Sequence, residues 1–211
     1  MAERGKAERG RPRAFDRDAA LAKAMEVFWA RGYEGASMSE LTAAMGIASP
    51  SLYAAFGCKE ALFREALALY GATENDAIWG RLDSAATARE ACEGMLMAAA
   101  RAFTRPDKPP GCMVVLSAMP GGDASETLRQ DLVRGRAGAI DLLEARLRRG
   151  QAEGDVPATA DARAVATYLA TVQQGMSIQA RDGADRNTLE GIARTTMAGW
   201  DALVGNVRAN A

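Results

Sequence analysis

The fold is decided by residues 37–56, which read SMSELTAAMGIASPSLYAAF. Ser37 is followed three residues later by Glu40, and this spacing is typical of a capping box, in which the serine oxygen accepts from the Glu40 N–H and the carboxylate returns to the cap N–H. A helix is therefore predicted to begin at Ser37. Gly46 is predicted to end it, because glycine adopts the left-handed conformation at little energetic cost.

A second helix is predicted to begin almost at once. Pro50 suits the first helical position, where its missing N–H would have no partner, and Ser49 before it is the predicted N-cap. Leu52 and Phe56 are four residues apart and fall on one face of this helix. Two short helices across a glycine turn are typical of a helix-turn-helix, whose second helix lies in the major groove of DNA. A plain corner of a helical bundle is the alternative.

The residue types in and after this stretch favour the helix-turn-helix. Segments 45–47 (MGI), 50–57 (PSLYAAFG) and 59–63 (KEALF) resemble the DNA-binding domain of the tetracycline-repressor (TetR/AcrR) family of bacterial transcriptional regulators. The resemblance covers about residues 14–70, and beyond them it is one of architecture. It implies a homodimeric DNA-binding regulator, usually a repressor, that a small-molecule effector releases from its operator.

The rest of the chain is predicted to be helical, which gives an all-α fold. Leu21, Ala24, Met25 and Phe28 repeat at helical spacing, so a first helix supplies an apolar face on which the motif rests. We expect an N-terminal three-helix helix-turn-helix DNA-binding domain plus a larger C-terminal helical effector-binding and dimerisation domain. The predicted units are a flexible basic arm at 1–13, the DNA-binding domain at 14–58 and the effector-binding and dimerisation domain at 59–211.

Glycine and proline predict the further helix breaks. Gly32 ends the first helix, and a helix that begins after Ser125 or Asp123 is interrupted over 150–157. The wholly apolar segment 112–119 fits a buried strand or a buried helix by its pattern, and the helices on both sides favour a helix.

Composition excludes several classes of protein. The chain of 211 residues has no histidine, which removes His-dependent triads, His general bases and His-containing metal sites. Its three cysteines form no C-x-x-C pair and it has no long apolar run, so we expect a cytoplasmic protein with no membrane span. It also has no phosphate-binding glycine loop and no dinucleotide fingerprint. We expect no enzyme activity, no cofactor and no metal.

The net charge of −1 does not by itself suggest a nucleic-acid binder, but the charge is unevenly distributed. Up to Arg17 the chain has six basic and three acidic residues. Arg11 and Arg13 lie in this basic arm, and we predict that they enter the minor groove of double-stranded DNA. A solvated tail is the alternative.

Two kinds of DNA contact are predicted for the motif. By the resemblance, Lys59 contacts the DNA backbone, and we expect Tyr53 and Ser37 to hold phosphates as well. An ordinary surface lysine is the alternative for Lys59. The side chains placed to meet base edges are those of Ser49, Ser51, Ala54 and Ala55.

The sequence departs from the common pattern of the family in three places. Ala48 stands where many relatives have a capping side chain, which moves the predicted cap to Ser49. Ala54 and Ala55 replace larger polar residues, so specificity is expected to depend more on the arginine arm and on DNA shape. Cys58 stands at another cap position, where it weakens the cap by about 1 kcal/mol.

The last two helices are predicted at about 161–182 and 187–207. Each has an apolar seam longer than a single intrachain contact needs. By the resemblance, they pair with their copies in a second subunit as a four-helix bundle. Dimerisation also suits DNA binding, because two recognition helices must meet half-sites about one helical turn or more apart. An intramolecular hairpin is the alternative.

By the resemblance, the C-terminal domain binds a small effector and thereby moves the two DNA-binding heads apart. The absence of histidine and the few inward charges favour an apolar or neutral effector. Apolar residues at helical spacing are otherwise ordinary core, which is the competing interpretation for each one. The predicted pocket residues are Met95, Phe103, Met113, Leu116, Met119, Tyr168 and Gln173.

Cys112 raises an alternative input to the same regulator. Gly111 and Cys112 precede an apolar run and resemble a segment of some redox- or electrophile-sensing relatives, which implies a thiol-based sensor. A reactive thiol needs exposure and a nearby positive charge, and Lys108 is the only close candidate in sequence. A buried, inert cysteine is the competing interpretation. A small helical enzyme and a protein-binding adaptor are further alternatives, but no nucleophile is found beside a plausible base.

Overall fold

The computed structural model describes residues 15–117 and 124–205, and all regular structure within them is helical. The all-α fold class is therefore confirmed. No helix in these two ranges is long and apolar enough to cross a bilayer, and they contain no cluster of His, Cys, Asp and Glu suited to a metal ion. In chain order the helices are α1 (Arg17–Gly35), α2 (Met38–Met45), α3 (Ser49–Phe56), α4 (Lys59–Glu74), α5 (Asp76–Trp79), α6 (Ala88–Phe103), α7 (Met113–Leu116), α8 (Glu126–Glu153), α9 (Ala162–Arg181), α10 (Arg186–Ala198) and α11 (Trp200–Gly205).

Helix α1 begins after Asp16 and continues to Gly35, and its helical geometry is broken at Gly32, where the sequence predicts its end. The Asp16 carboxylate accepts hydrogen bonds from the N–H groups of Asp18 and Ala19 at 3.1 and 3.0 Å, which caps the helix. Gly32 interrupts the helical geometry with φ 71° and ψ 176°, a conformation that favours glycine.

The capping box of α2 is only half formed. The Ser37 oxygen accepts from the Glu40 N–H at 3.1 Å, as predicted, and Gly46 ends the helix in the left-handed conformation with φ 67°. The Glu40 carboxylate does not return to the cap residue. It accepts instead from Nε of Arg31 at 3.2 Å, because this guanidinium on α1 is within reach and carries a full charge.

The predicted N-cap of α3 is wrong by one residue. Ala48 has the extended cap geometry, and its carbonyl accepts from the Leu52 N–H at 3.1 Å, so Ser49 is the first helical residue and Pro50 the second. Proline is tolerated at either position, because neither N–H has a partner within the helix. Helix α3 consequently has no side-chain cap.

An aromatic cluster holds α1 against α4. The ring of Phe63 meets those of Phe28 and Tyr33 edge to face, with centroids 4.9 and 5.2 Å apart. This geometry is favourable for ring quadrupoles and adds to the burial of both phenylalanines. Because α2 packs on α1 and α3 on both α2 and α4, the cluster fixes the position of the helix-turn-helix.

Helix α6 lies at the centre of the C-terminal helices and packs against α5, α8, α9 and α10. It buries most of its surface, and α8 packs in turn along α9. Many of the buried positions of α6 are alanines, such as Ala91, Ala99 and Ala100, so neighbouring helices approach α6 closely.

The segment after Cys112 is helical, as predicted, and forms the turn of α7. Two predicted element boundaries need correction. Helix α8 continues through Gly150, where a Cβ would lie 2.5 Å from Oδ1 of Asp155, so this glycine allows close packing and does not end the helix. The last predicted helix is broken at Gly199, whose N–H bonds to the Thr196 carbonyl.

Candidate functional site

Helix α3 turns its apolar residues inward and its predicted DNA contacts outward. Leu52 and Phe56 are buried, at 0% and 4% exposure, against the other helices of residues 15–66, which we call the head. On the opposite side Tyr53 is 50% exposed, and Ser49 and Ala54 are exposed with it. An exposed tyrosine on a short helix is available to a partner, because burial does not explain its place. Ser51 is half-buried, so it is less accessible than the other predicted contacts.

The remaining predicted backbone contacts flank α3. Ser37 is exposed at the start of α2, where its hydroxyl oxygen is engaged in the cap. Lys59 begins α4 with its ammonium nitrogen 4.5 Å from the ring centroid of Tyr33, a cation–π contact that orients the side chain. Cys58 precedes it as the N-cap residue, and its sulfur accepts from the Ala61 N–H at 3.4 Å.

Arg17 is a candidate that the sequence argument did not single out. Its guanidinium lies 4.3 Å from the Phe56 ring centroid and pairs with Glu65 at 2.8 Å, while it donates to the Ala55 carbonyl at 3.3 Å. The residue therefore joins α1, α3 and α4 at the exposed end of the head. Its position in sequence next to the basic arm could have indicated a role for Arg17. Its partners Phe56 and Glu65 could not be predicted, because they are distant in sequence.

The basic arm lies outside the described residues, and so do the predicted contacts Arg11 and Arg13. Its charge is nevertheless informative. Between residues 15 and 66 the sequence has five basic and seven acidic side chains, so the described head is not basic. The positive charge that DNA binding needs is concentrated in residues 1–13, with five basic and two acidic side chains.

A cavity of about 1210 Å³ lies between α4, α5, α7, α8 and α9. Its volume exceeds the roughly 300–1,000 Å³ that is usual for small-molecule pockets, so it has room for a drug-sized compound. Gly135 and Gly138 on α8 widen it because they carry no side chain. Its wall is largely apolar, and the apolar side chains include Leu67, Ile78, Trp79, Val114, Val115, Leu132 and Leu142.

Of the predicted pocket residues that the structure describes, only Gln173 lines this cavity. Met95, Phe103 and Met113 are at most 1% exposed and belong to the packed core, so the competing interpretation of helical spacing holds for them. The remaining three lie elsewhere. Leu116 lines a smaller cavity of about 170 Å³, Tyr168 is 44% exposed on the outside of α9, and Met119 lies outside the described residues.

Polar groups reach the large cavity from α4, α8 and α9. Arg64 is ion-paired with Glu60 at 2.7 Å and with Asp131 at 2.9 Å. Arg136 has no such partner among residues 15–117 and 124–205, and its Nη1 atom is buried without a hydrogen bond. Gln173, at 3% exposure, completes the set on α9. These polar groups were difficult to predict from the sequence, because nothing in it marks which arginine of α8 faces inward.

Cys112 also borders the cavity, but its environment does not favour a thiolate. The residue is buried, and burial raises the pKa of its thiol, which lies beside the Tyr70 hydroxyl. Lys108, the predicted activating charge, is instead paired with Glu26 at 3.1 Å. The nearby cation is Arg136, which opposes the burial effect on the thiol pKa without outweighing it. The structure therefore favours the inert cysteine.

The cavity and the head meet at Trp29. The Trp29 indole packs edge to face on Tyr70, with centroids 4.9 Å apart, and its Nε1–H donates to the Gly111 carbonyl at 2.9 Å. The next N–H, of Cys112, donates to the Ser177 hydroxyl at 2.8 Å. Two residues of the cavity wall, Tyr70 and Cys112, are thus connected to α1 by direct contact and by one peptide unit.

Comparison with known proteins agrees with this architecture. The family described as "Bacterial regulatory proteins, tetR family" matches residues 20–66, and "Tetracyclin repressor-like, C-terminal domain" matches 83–196. The HTH-type transcriptional repressor ComR of Escherichia coli (strain K12) is 38% identical, and the match covers 94% of this chain and 95% of that protein. The HTH-type transcriptional repressor BdcR of the same organism is 29% identical and covers 92% of each chain.

Solved structures give the same result. A cysteine mutant of the TetR family transcriptional regulator CifR, complexed with 26-bp double-strand operator DNA, is 48% identical, with a TM-score of 0.86. The match covers 90% of this chain and 100% of that one. Both the helix-turn-helix and the C-terminal helices of this chain are therefore matched, and the chain belongs to the TetR family of bacterial regulatory proteins.

Proposed function

We propose that the protein is a homodimeric transcriptional repressor that binds operator DNA through α2 and α3 and is released by a small-molecule effector. The observation that carries the proposal is α3, a short helix with a buried inner face and an outer face of small and polar residues around Tyr53. ComR is named as a transcriptional repressor, and CifR is complexed with operator DNA. A repressor of this family acts in the cytoplasm, where the bacterial DNA lies.

The proposed DNA contacts divide by chemistry. Tyr53, Lys59 and Ser37 bind phosphates and set the orientation of the head, while Arg11 and Arg13 enter the minor groove. The base edges are met by small groups, which form few hydrogen bonds, so DNA shape contributes to specificity. The residues proposed to meet base edges are Ser49, Ser51 and Ala54.

The proposed dimer forms through the last helices. Tyr168 and Ile178 are large apolar side chains that α9 leaves 44% and 49% exposed. Exposed apolar groups on one helix favour association, because burying them releases the water around them. A second copy would cover them and would place two α3 helices on one operator.

The proposed effector site is the cavity between α4 and α9. Its wall includes Tyr70 and Cys112, which contact α1 through Trp29 and Gly111. A ligand that shifts this wall therefore acts on the helix that supports the helix-turn-helix. Such an effector changes operator affinity only as far as it prefers one of the two head positions.

DNA binding is tested with the purified full chain and the DNA that flanks its coding region, over a series of salt concentrations. We expect Tyr53→Ala and Lys59→Ala to weaken binding about tenfold each, which corresponds to about 1.4 kcal/mol per contact. Lys59→Ala should also reduce the salt dependence, because it removes a phosphate contact. Arg101→Ala is the matched control, since it removes an exposed charge on α6 that has no ion pair within the described residues.

Tight, salt-dependent binding that falls in both head variants and not in Arg101→Ala supports the proposal. Binding that is equal in all four proteins contradicts it, because α3 would then not contact DNA. If flanking DNA is not bound, selection of bound fragments from genomic DNA provides the operator. Recovery of no preferred fragment also contradicts the proposal.

A further inference from the structure

The cavity wall carries an arginine that has no partner among the described residues. Arg136 projects from α8, forms no hydrogen bond or ion pair within 15–117 and 124–205, and has a buried, unpaired Nη1 atom. Burial lowers the pKa of its guanidinium, yet arginine stays charged at any physiological pH. Arg64 on the same wall differs, because Glu60 and Asp131 balance its charge.

A partly buried, unpaired charge lowers the stability of a protein, because it loses hydration and gains no counter-charge. The protein retains one in a cavity large enough for a ligand. Charges of this kind persist where they bind an anion that is present only some of the time. The bound anion then pairs with the charge and removes this destabilisation, which increases the affinity for the ligand.

No carboxylate in the described part of the wall is free to fill this role. Asp131 is shared by Arg64 and Arg134. Asp76 and Asp83 are exposed, so their charges are screened by water at the rim. An anion that enters the cavity is therefore the partner that Arg136 lacks.

Gln173 supplies a second donor. Its side chain is 3% exposed, lines the same cavity and forms no hydrogen bond with the described residues. A carboxylate accepts from an arginine fork and from an amide N–H at the same time, and both bonds are strengthened by its charge. The rest of the wall, including Trp79 and Leu142, suits an apolar body.

We infer that the effector is an apolar molecule with a single carboxylate, which Arg136 and Gln173 bind inside the cavity. The inference rests on the proposed function, since it names the chemical class of that effector. A phosphate monoester fits less well, because it carries about 1.5 to 2 negative charges against one unpaired cation. This class differs from the apolar or neutral effector expected from the sequence by its one negative charge.

The test compares carboxylates with amides of the same shape. Octanoate and octanamide provide a flexible pair, and benzoate and benzamide provide a rigid pair, with binding to the full-length protein measured by calorimetry. We expect at least one carboxylate to bind about ten- to a hundredfold more tightly than its amide, as one charge-assisted hydrogen-bonded pair allows. In Arg136→Gln this preference disappears and amide binding is unchanged. Arg148→Gln, which changes an exposed arginine on the same helix that does not line the cavity, keeps the preference.

Thermal unfolding of the free variants separates binding from a structural role. We expect the midpoint of Arg136→Gln to equal or exceed that of the parent, because an unpaired charge is removed. A clearly lower midpoint contradicts the inference, as does an Arg136→Gln variant that still prefers the carboxylate. If Arg136→Gln does not fold, the preference of the parent protein for carboxylates over amides decides the inference.

Equal affinity of the parent for both members of each pair, or binding of neither pair, overturns the inference. Operator binding by the unliganded parent is measured in the same preparation. If the unliganded parent does not bind operator DNA, the proposed repressor function is contradicted. If it binds operator DNA but shows no carboxylate preference, only the effector class is contradicted.

Discussion

Gly111 occupies a position that no other residue fits. It has φ 81°, and a Cβ there would lie 2.6 Å from the Ser177 carbonyl oxygen and 2.7 Å from Cδ1 of Leu116. Its own carbonyl accepts the Trp29 indole N–H. A single glycine therefore allows α9, the cavity wall and the head to meet.

Substitution of Gly111 by alanine is predicted to lower the free energy of unfolding by about 2–4 kcal/mol, from backbone strain and overpacking together. Urea unfolding measures the loss. Gly183→Ala is the matched control, because Gly183 has φ 101° but nothing within 4 Å of its Cβ position. Strain alone should cost about 1–2 kcal/mol there. Equal losses in the two variants would show that the close approach at Gly111 contributes nothing.

The cysteines are predicted to differ strongly in reactivity. Cys58 is exposed, whereas Cys92 and Cys112 are buried. Burial raises the pKa of the Cys92 thiol to about 12 and also raises that of Cys112, so at pH 8 both remain protonated. Iodoacetamide added to the native protein should modify Cys58 and spare the other two, as peptide mass analysis will show. Fast labelling of Cys112 in the folded protein would restore the thiol-sensor alternative.

At the scale of elements, α9 supports the end of α1. The Arg181 guanidinium donates to the carbonyls of Ala30 and Trp29 at 2.6 Å each, just before Gly32 interrupts the helix. Carbonyls in the last turn of a helix lack intrahelical donors, and a cation there is favoured by the helix dipole. Arg181 thus serves as a side-chain cap that joins the head to α9.

Arg181→Ala is predicted to destabilise the protein by about 1–3 kcal/mol, because the part-buried carbonyl of Trp29 and the exposed carbonyl of Ala30 lose their donor. Hydrogen exchange of the amides around residues 29–35 should speed up, and operator affinity should fall with an unchanged salt dependence, since no phosphate contact is lost. Arg194→Ala, which breaks an exposed pair with Glu190 on α10, should cost less than about 0.5 kcal/mol. A reduced salt slope in Arg181→Ala would indicate a direct DNA contact instead.

Much of the fold was predictable from local sequence, because caps and helix breaks are short-range features. Ser37, Gly46 and Ser125 act as predicted, and α3 presents its outer face as its apolar spacing indicates. The N-cap of α3 was missed, because Ala48 caps through its backbone geometry alone and leaves no side-chain signal.

The cavity was not predictable in the same way. Helical spacing shows which residues of a helix turn inward, but it cannot separate a packed core from a lined cavity. Met95 and Gln173 both face inward, and only the second reaches open space. The difference depends on what faces them, such as Gly135 on α8, which is distant in sequence.

For the whole molecule, we expect DNA binding to depend on charge that lies outside the helical head. The described head has more acidic than basic residues, so it offers little general attraction to the phosphate backbone. A dimer brings two copies of residues 1–13 to one operator. If Arg11 and Arg13 both contact the DNA, four cations per dimer release counterions from the duplex.

The double variant Arg11→Ala/Arg13→Ala is therefore predicted to reduce the slope of log affinity against log salt by about 0.9 for each phosphate contact, or about 3 to 4 in all. Binding in a salt series measures it. A second variant, Arg101→Ala/Arg148→Ala, removes the same charge from exposed surfaces of α6 and α8, far along the chain from the head and outside the proposed dimer helices, and should leave the slope unchanged. If both double variants reduce the slope equally, the arm acts only through net charge. If neither does, α3 and α4 alone hold the phosphates.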